Sequence, residues 1–149
     1  KIIVVSSAPQ IRYPDCYGID MANLESLVAF QAILELLKDS NLYHKLEEVY
    51  HKCKAQVDLK DKHVKNFVKE LYEPFDDEQI SIKISQLLSD DTINAEVKII
   101  FQTVEDLHKA CPKNLGDWYF TGNYPTVGGN RVVNRAFINF YEGNKERAY

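Results

Sequence analysis

Two short β-branched runs on either side of a long helical stretch constrain this chain more than anything else in it. Lys1-Ile-Ile-Val-Val5 runs on to Ser6, and Val97 to Gln102 is the second. Continuous apolar runs of this length, without alternation, are the pattern of strands covered on both faces of a parallel sheet. The expected fold class is therefore α/β, mostly helical, with two or more parallel strands. The first run begins at residue 1, with no initiator Met, no signal-peptide pattern and no preceding cap or loop. The chain is accordingly expected to be a fragment of a longer protein.

After Ser6-Ser7-Ala8-Pro9 the pattern is irregular through Pro14 and Gly18. Asn23 is the expected N-cap of a helix with a stripe at Leu24, Leu27, Val28, Leu34 and Leu37, broken near Phe30. From Asn41 to about Asp90 the spacing is helical throughout. One face carries Leu42, Leu46, Val49, Tyr50, Cys53 and Val57, and a second carries Val64, Phe67, Val68, Leu71 and Tyr72 before Pro74. A third holds Ile80, Ile84, Leu87 and Leu88, with Asp76 and Gln79 at capping-box spacing. Ile80-Ser-Ile-Lys-Ile84 also alternates, which leaves a short strand open there. Thr103 with Asp106 opens a short helix that stops before Pro112. An aromatic loop, Trp118 to Pro125, precedes Gly128-Gly129. Asn130 is the expected cap of a last helix with Val133, Ala136, Phe137, Phe140 and Tyr141, stopped by Gly143.

Composition narrows the partners. The 149 residues are 45% hydrophobic and 27% charged, as expected for one soluble globular domain. The net charge of -4, without a basic block, argues against nucleic acid as a partner, because such binding rests on neutralising phosphates. No apolar run approaches the roughly 20 residues of a membrane span, so no membrane partner is expected. Three cysteines lie far apart, which points to a reducing, cytoplasmic compartment.

Ser7-Ala8-Pro9, Ile11-Arg12, Pro14 and Tyr17-Gly18-Ile19-Asp20, followed by Asn23-Leu-Glu-Ser-Leu-Val-Ala29, resemble the amidophosphoribosyltransferases. That family has a strand ending in Ser-(Ala/Pro)-Pro, a Pro-containing loop, then Tyr-Gly-Ile-Asp and a capped helix. Ile99 to Leu107 is similar to the family's next strand and helix, and Phe120-Thr-Gly-Asn-Tyr-Pro-Thr126 resembles the tail of some members. The resemblance implies a two-part cytoplasmic enzyme. A glutaminase domain releases ammonia, which displaces pyrophosphate from phosphoribosyl pyrophosphate (PRPP) to give phosphoribosylamine for purine synthesis. The acidic-pair phosphate loop and the nucleophilic cysteine of the family have no match here. The chain is thus expected to be the C-terminal part of a type I phosphoribosyltransferase domain, inactive alone. Residues 1–40 would be the end of that domain, 41–94 a helical insertion, and 95–149 the last strand, short helix, aromatic loop and C-terminal helix.

The resemblance implies magnesium with PRPP for the parent enzyme and no cofactor in this fragment. Some members carry an iron–sulfur cluster. Here Cys16 lies close to one ligand place, and the Lys113 to Tyr119 stretch holds no cysteine at the other, which argues against a cluster. The implied partners are the remainder of the parent enzyme, its glutaminase domain and PRPP loop, and further copies in a homo-oligomer. The rival expectation is a non-catalytic helical interaction or oligomerisation module.

No catalytic residue is assigned. Arg12 and Tyr17 are the candidate ligand-binding residues, since open α/β sheets bind ligands in loops after their strands and an Arg there meets phosphate in bidentate fashion. The alternative is that Arg12 braces its own loop and Tyr17 is a packed aromatic. Asp20 reads as a turn or cap residue rather than a general base. His44, His51 and Cys53, with His63 nearby, match no zinc spacing, so no metal is assigned. Gly128-Gly129-Asn130 fits an anion site or a plain turn with a cap, and the aromatics from Trp118 to Tyr124 are expected to pack.

Overall fold

The computed structural model describes residues 1–18, 21, 23–60, 63–89, 92, 94–113 and 116–148. Ile19 and Asp20 lie outside the described residues. The architecture is α/β and about half helical. Two parallel strands, β1 (Ile2–Ser6) and β2 (Val97–Phe101), form the one sheet among the described residues, in register from Ile2 opposite Val97 to Ser6 opposite Phe101.

A 3-10 turn, Leu24–Ser26, precedes α1 (Val28–Asp39). Asn23 caps that turn by accepting from Glu25 N, and the break falls at Leu27 rather than at Phe30, which is buried inside α1. Helices α2 (Lys45–Lys54), α3 (Lys69–Tyr72) and α4 (Asp77–Leu87) follow. The capping box of α4 forms as expected, with Gln79 N donating to Asp76 and Asp76 N to the Gln79 side chain. Ile80 and Ile84 are buried while Ile82 is 52% exposed. A strand would place all three on one face, so this pattern decides for helix.

The stretch from Val64 to Tyr72 is helical only from Lys69 onward. The side chain of Gln56 bonds both Lys65 N (2.8 Å) and Lys65 O (2.9 Å), and Asn134 donates to the same carbonyl at 2.7 Å. Backbone groups that a helix would need are thus taken by side chains from elsewhere. Thr103 caps α5 (Val104–Ala110) by accepting from Asp106 N. The aromatic stretch contains one helical turn, α6 (Trp118–Thr121), closed by Gly122 at φ 69°. The last helix, α7 (Val127–Glu142), starts one turn earlier than expected. Thr126 is its N-cap residue, and Asn130 lies within it, donating to Val64 O. Gly143 ends it in the left-handed region, as expected.

One hydrophobic core gathers these helices. Phe30, Ile33 and Leu37 of α1 join Leu46 and Val49 of α2, Leu71 of α3, Ile80 and Ile84 of α4, and Val133 and Phe137 of α7. The described residues between 41 and 94 therefore contribute to the same core as the two ends of the chain. Strand β1 departs from the expectation of cover on both faces: Ile2, Ile3, Val4 and Val5 are 44–72% exposed. The physical reason is that α4 packs against β2, no described helix packs to a comparable extent on β1, and α5 buries no residue. Among the described residues, no helix is long and apolar enough to cross a membrane.

Candidate functional site

The loop after β1 starts with a local turn, in which the Ser6 hydroxyl donates to Ala8 O and accepts from Ala8 N. Gln10 then turns inward and is buried. Its amide nitrogen donates to Asp77 O (2.8 Å) and to the Ser81 hydroxyl (2.7 Å). Its amide oxygen accepts from Arg12 Nη2 (2.7 Å) and Nε (3.2 Å). Arg12 also pairs with the Asp77 carboxylate, and its guanidinium lies 5.5 Å from the centre of the Tyr72 ring. Tyr72 in turn donates to Arg12 O at 2.8 Å. Arg12 thus ties its loop to the first turn of α4, largely as a brace.

Next in the chain, Asp15 is fully buried. Its carboxylate accepts from Tyr17 N (2.8 Å) and from the Tyr119 hydroxyl (2.7 Å). Arg12 N and Tyr13 N both donate to Tyr119 O, and the Tyr124 hydroxyl donates to Pro14 O at 2.6 Å. Gly122 sits against Tyr13 so closely that a Cβ would lie 2.9 Å from the ring, at a φ that already favours glycine. The loop from Ser7 to Gly18 and the aromatic segment from Trp118 to Tyr124 are joined along their length. Tyr17 stands at the rim of this junction, 58% exposed, with its ring edge-on to Trp118 at 5.6 Å.

A groove of about 840 Å³ runs between α4, β2 and the loop at Pro9 to Arg12. Ser81 and Ser85 form part of one wall, where their small side chains let α4 approach the sheet. The Ser85 hydroxyl donates to Ser81 O (2.8 Å) and accepts the edge N–H of Ile99 (3.0 Å). Val97, Ile99 and Phe101 supply apolar surface. Gln102 lies at the C-terminal end of β2, and its buried side-chain oxygen has no partner among the described residues. Ligands of open α/β sheets bind at that end of the strands. The chemistry on offer is recognition: amide, hydroxyl and carboxylate groups around an apolar strip. Among the described residues, no group of His, Cys, Asp and Glu could hold a metal ion. Two of the three thiols are also held back. Burial and then Asp15 raise Cys16, while burial pushes Cys53 up to about 12. Neither is the depressed thiol that nucleophilic chemistry uses.

Of the two residues read from the sequence, Arg12 lines the groove and Tyr17 does not. His44, just before α2, and His51 within it are exposed beside Glu48 and Glu47, and Cys53 faces Asn134 in the core. Gly129 packs under Tyr124, where a Cβ would lie 2.4 Å from the ring. That close packing accounts for the glycine without an anion. Gln10, Asp15 and Ser85 escaped notice. Ser81, Ser85 and Ser89 at helical spacing were a usable signal of close approach by α4. Nothing local marks Asp15, whose partner Tyr119 is remote in sequence.

Four tyrosines at this junction titrate high, chiefly because burial penalises the phenolate. Tyr119, which also donates to Asp15, is pushed up to about 12, and burial raises Tyr13, Tyr72 and Tyr124 as well. In the unfolded chain they return to the ordinary value of 10.0. Between these values the unfolded chain releases protons that the folded chain keeps, so stability present below pH 10 is lost as pH rises through 12. The last tyrosinate absorbance to appear and the loss of near-ultraviolet circular dichroism are therefore expected to coincide in alkaline titration. Full ionisation with an unchanged dichroism spectrum would contradict this.

No family model, curated protein or solved structure matches the chain.

Proposed function

We propose that this chain is the C-terminal part of the phosphoribosyltransferase domain of an amidophosphoribosyltransferase. The observation that carries this reading is the junction between its two motif-bearing segments. Ser7 to Gly18, which resembles the family's strand–loop–helix run, is bonded through Pro14 to Tyr124 of the segment that resembles the family's tail, and through Asp15 to Tyr119 just before that segment. The parallel pairing of β1 and β2, with both motif loops near the strands' C-terminal ends, agrees with a sheet of that kind. In this role the chain completes the sheet and walls the PRPP site through the groove beside Gln10, Arg12 and Gln102. Residues 41–94 supply core to this part of the domain. The phosphate loop, the magnesium bound with PRPP and the glutaminase cysteine belong to the rest of the parent. Arg12 holds the loop in place, so its contribution to substrate is through positioning.

Pyrophosphate release from PRPP with ammonia as nitrogen donor tests the reading. The chain alone is expected to show no turnover above buffer. The full product of the gene, with an acidic-pair phosphate loop upstream of Lys1, is expected to turn over. Activity of the isolated chain, or a full-length protein without PRPP-dependent release, would contradict it.

A further inference from the structure

A second cavity, of about 300 Å³, lies between the end of α2, the segment that follows it, and α7. Its apolar lining comes from Cys53, Val57, Val64 and Ile138, with Ala148 of the C-terminal tail. The neutral polar side chains in its wall are already engaged. Gln56 is closed on the backbone of Lys65, and Asn134 donates to Lys65 O while accepting from Phe67 N and Cys53 Sγ. Three arginines line the same cavity. Arg131 is anchored on Val57 O (3.3 Å) and Leu59 O (2.9 Å).

Arg135 and Arg147 differ from Arg131. Among the described residues neither has an ion pair or a side-chain hydrogen bond. Glu142, on which Arg135 acts through space, is already held by Lys54 at 2.8 Å and by the Tyr50 hydroxyl at 2.7 Å. Two uncommitted guanidiniums therefore stand beside a largely apolar cavity. Guanidinium matches carboxylate in a two-point contact. The mostly apolar wall would strip water from a doubly charged head without replacing it. The volume is at the small end of ligand pockets, roughly 300–1,000 Å³, which excludes anything as large as a dinucleotide.

We propose that this cavity binds a small monocarboxylate with an apolar body, its carboxylate on Arg135 and Arg147 and its body over Val57, Val64 and Ile138. The site is separate from the groove beside β2 and independent of the reading given to that groove.

Calorimetric titration of the whole chain with octanoate tests the proposal. Saturable binding is expected, weakened about tenfold or more in the Arg135→Gln/Arg147→Gln variant. Both arginines are exposed, so the substitutions leave the core intact. Val57→Trp, at a 38% exposed position on the cavity, is expected to abolish binding by filling the space with no change of charge. Octanol is expected to bind more weakly than octanoate, and inorganic phosphate not to bind. Absence of saturable octanoate binding, equal affinity in the double variant, or octanol binding as tightly as octanoate would each overturn the proposal.

Discussion

Val5→Lys is expected to turn a self-associating chain into a strict monomer. Strand β1 pairs with β2 on one edge, and its other edge has no strand partner among the described residues. Ile2, Ile3, Val4 and Val5 remain 44%, 55%, 46% and 72% exposed. An open apolar edge of this kind is a template for pairing with another strand. Fully burying such a side chain is worth about 1.5–3 kcal/mol, so the half still exposed on four of them amounts to roughly 3–6 kcal/mol. Edge hydrogen bonds add about 0.5–1.5 kcal/mol each. Association costs an estimated 4–15 kcal/mol, which leaves a weak dimer rather than an obligate one. Light scattering across a dilution series should therefore show mass rising with concentration. Val5 is the better place for the lysine. Ile3 stands opposite Lys98, where a second cation would also loosen β1 from β2, whereas Val5 stands opposite Ile100. A wild-type monomer at every concentration, or a variant that associates like wild type, would show that the edge is protected.

Asp15→Ala is expected to loosen the junction between the two ends of the chain. The fully buried carboxylate accepts from Tyr17 N and the Tyr119 hydroxyl. A buried donor left without its acceptor costs on the order of 1–3 kcal/mol, and two of them about 2–4 kcal/mol, since Tyr17 stands near water. That is a large part of the 5–15 kcal/mol that holds a typical domain together. Asp15→Asn keeps one acceptor and should lose less. Adding Tyr119→Phe to Asp15→Ala should cost little more, because the partner is already gone. Denaturant midpoints measure all three, and a wild-type midpoint for Asp15→Ala would contradict the account.

What could be seen in the sequence was local. The two apolar runs became parallel strands, Asp76 and Gln79 closed their capping box, Thr103 capped α5, and Gly143 ended α7. What could not be seen depends on residues far apart in the chain. Gln56 and Asn134 capture the backbone of Lys65 and delay the helix before Tyr72. Tyr124 needs a residue without a side chain beneath it, so Gly128-Gly129 reads as a break although both residues lie inside α7. Strand β1 carries the composition of a covered strand, but composition does not say whether the cover lies within the same segment. Likewise, Arg12 was visible as a loop arginine, while the amide and carboxylate that occupy it, Gln10 and Asp77, were not.

The proposed function has this chain supply the end of a phosphoribosyltransferase sheet. Its most direct test is complementation: the remainder of the parent protein, expressed separately, is mixed with this chain and assayed for ammonia-dependent pyrophosphate release from PRPP. The account predicts that neither part turns over alone, that mixing restores turnover, and that Val5→Lys in this chain reduces the restoration by blocking the open edge of β1. Full activity of the remainder alone, or restoration indifferent to Val5→Lys, would contradict it.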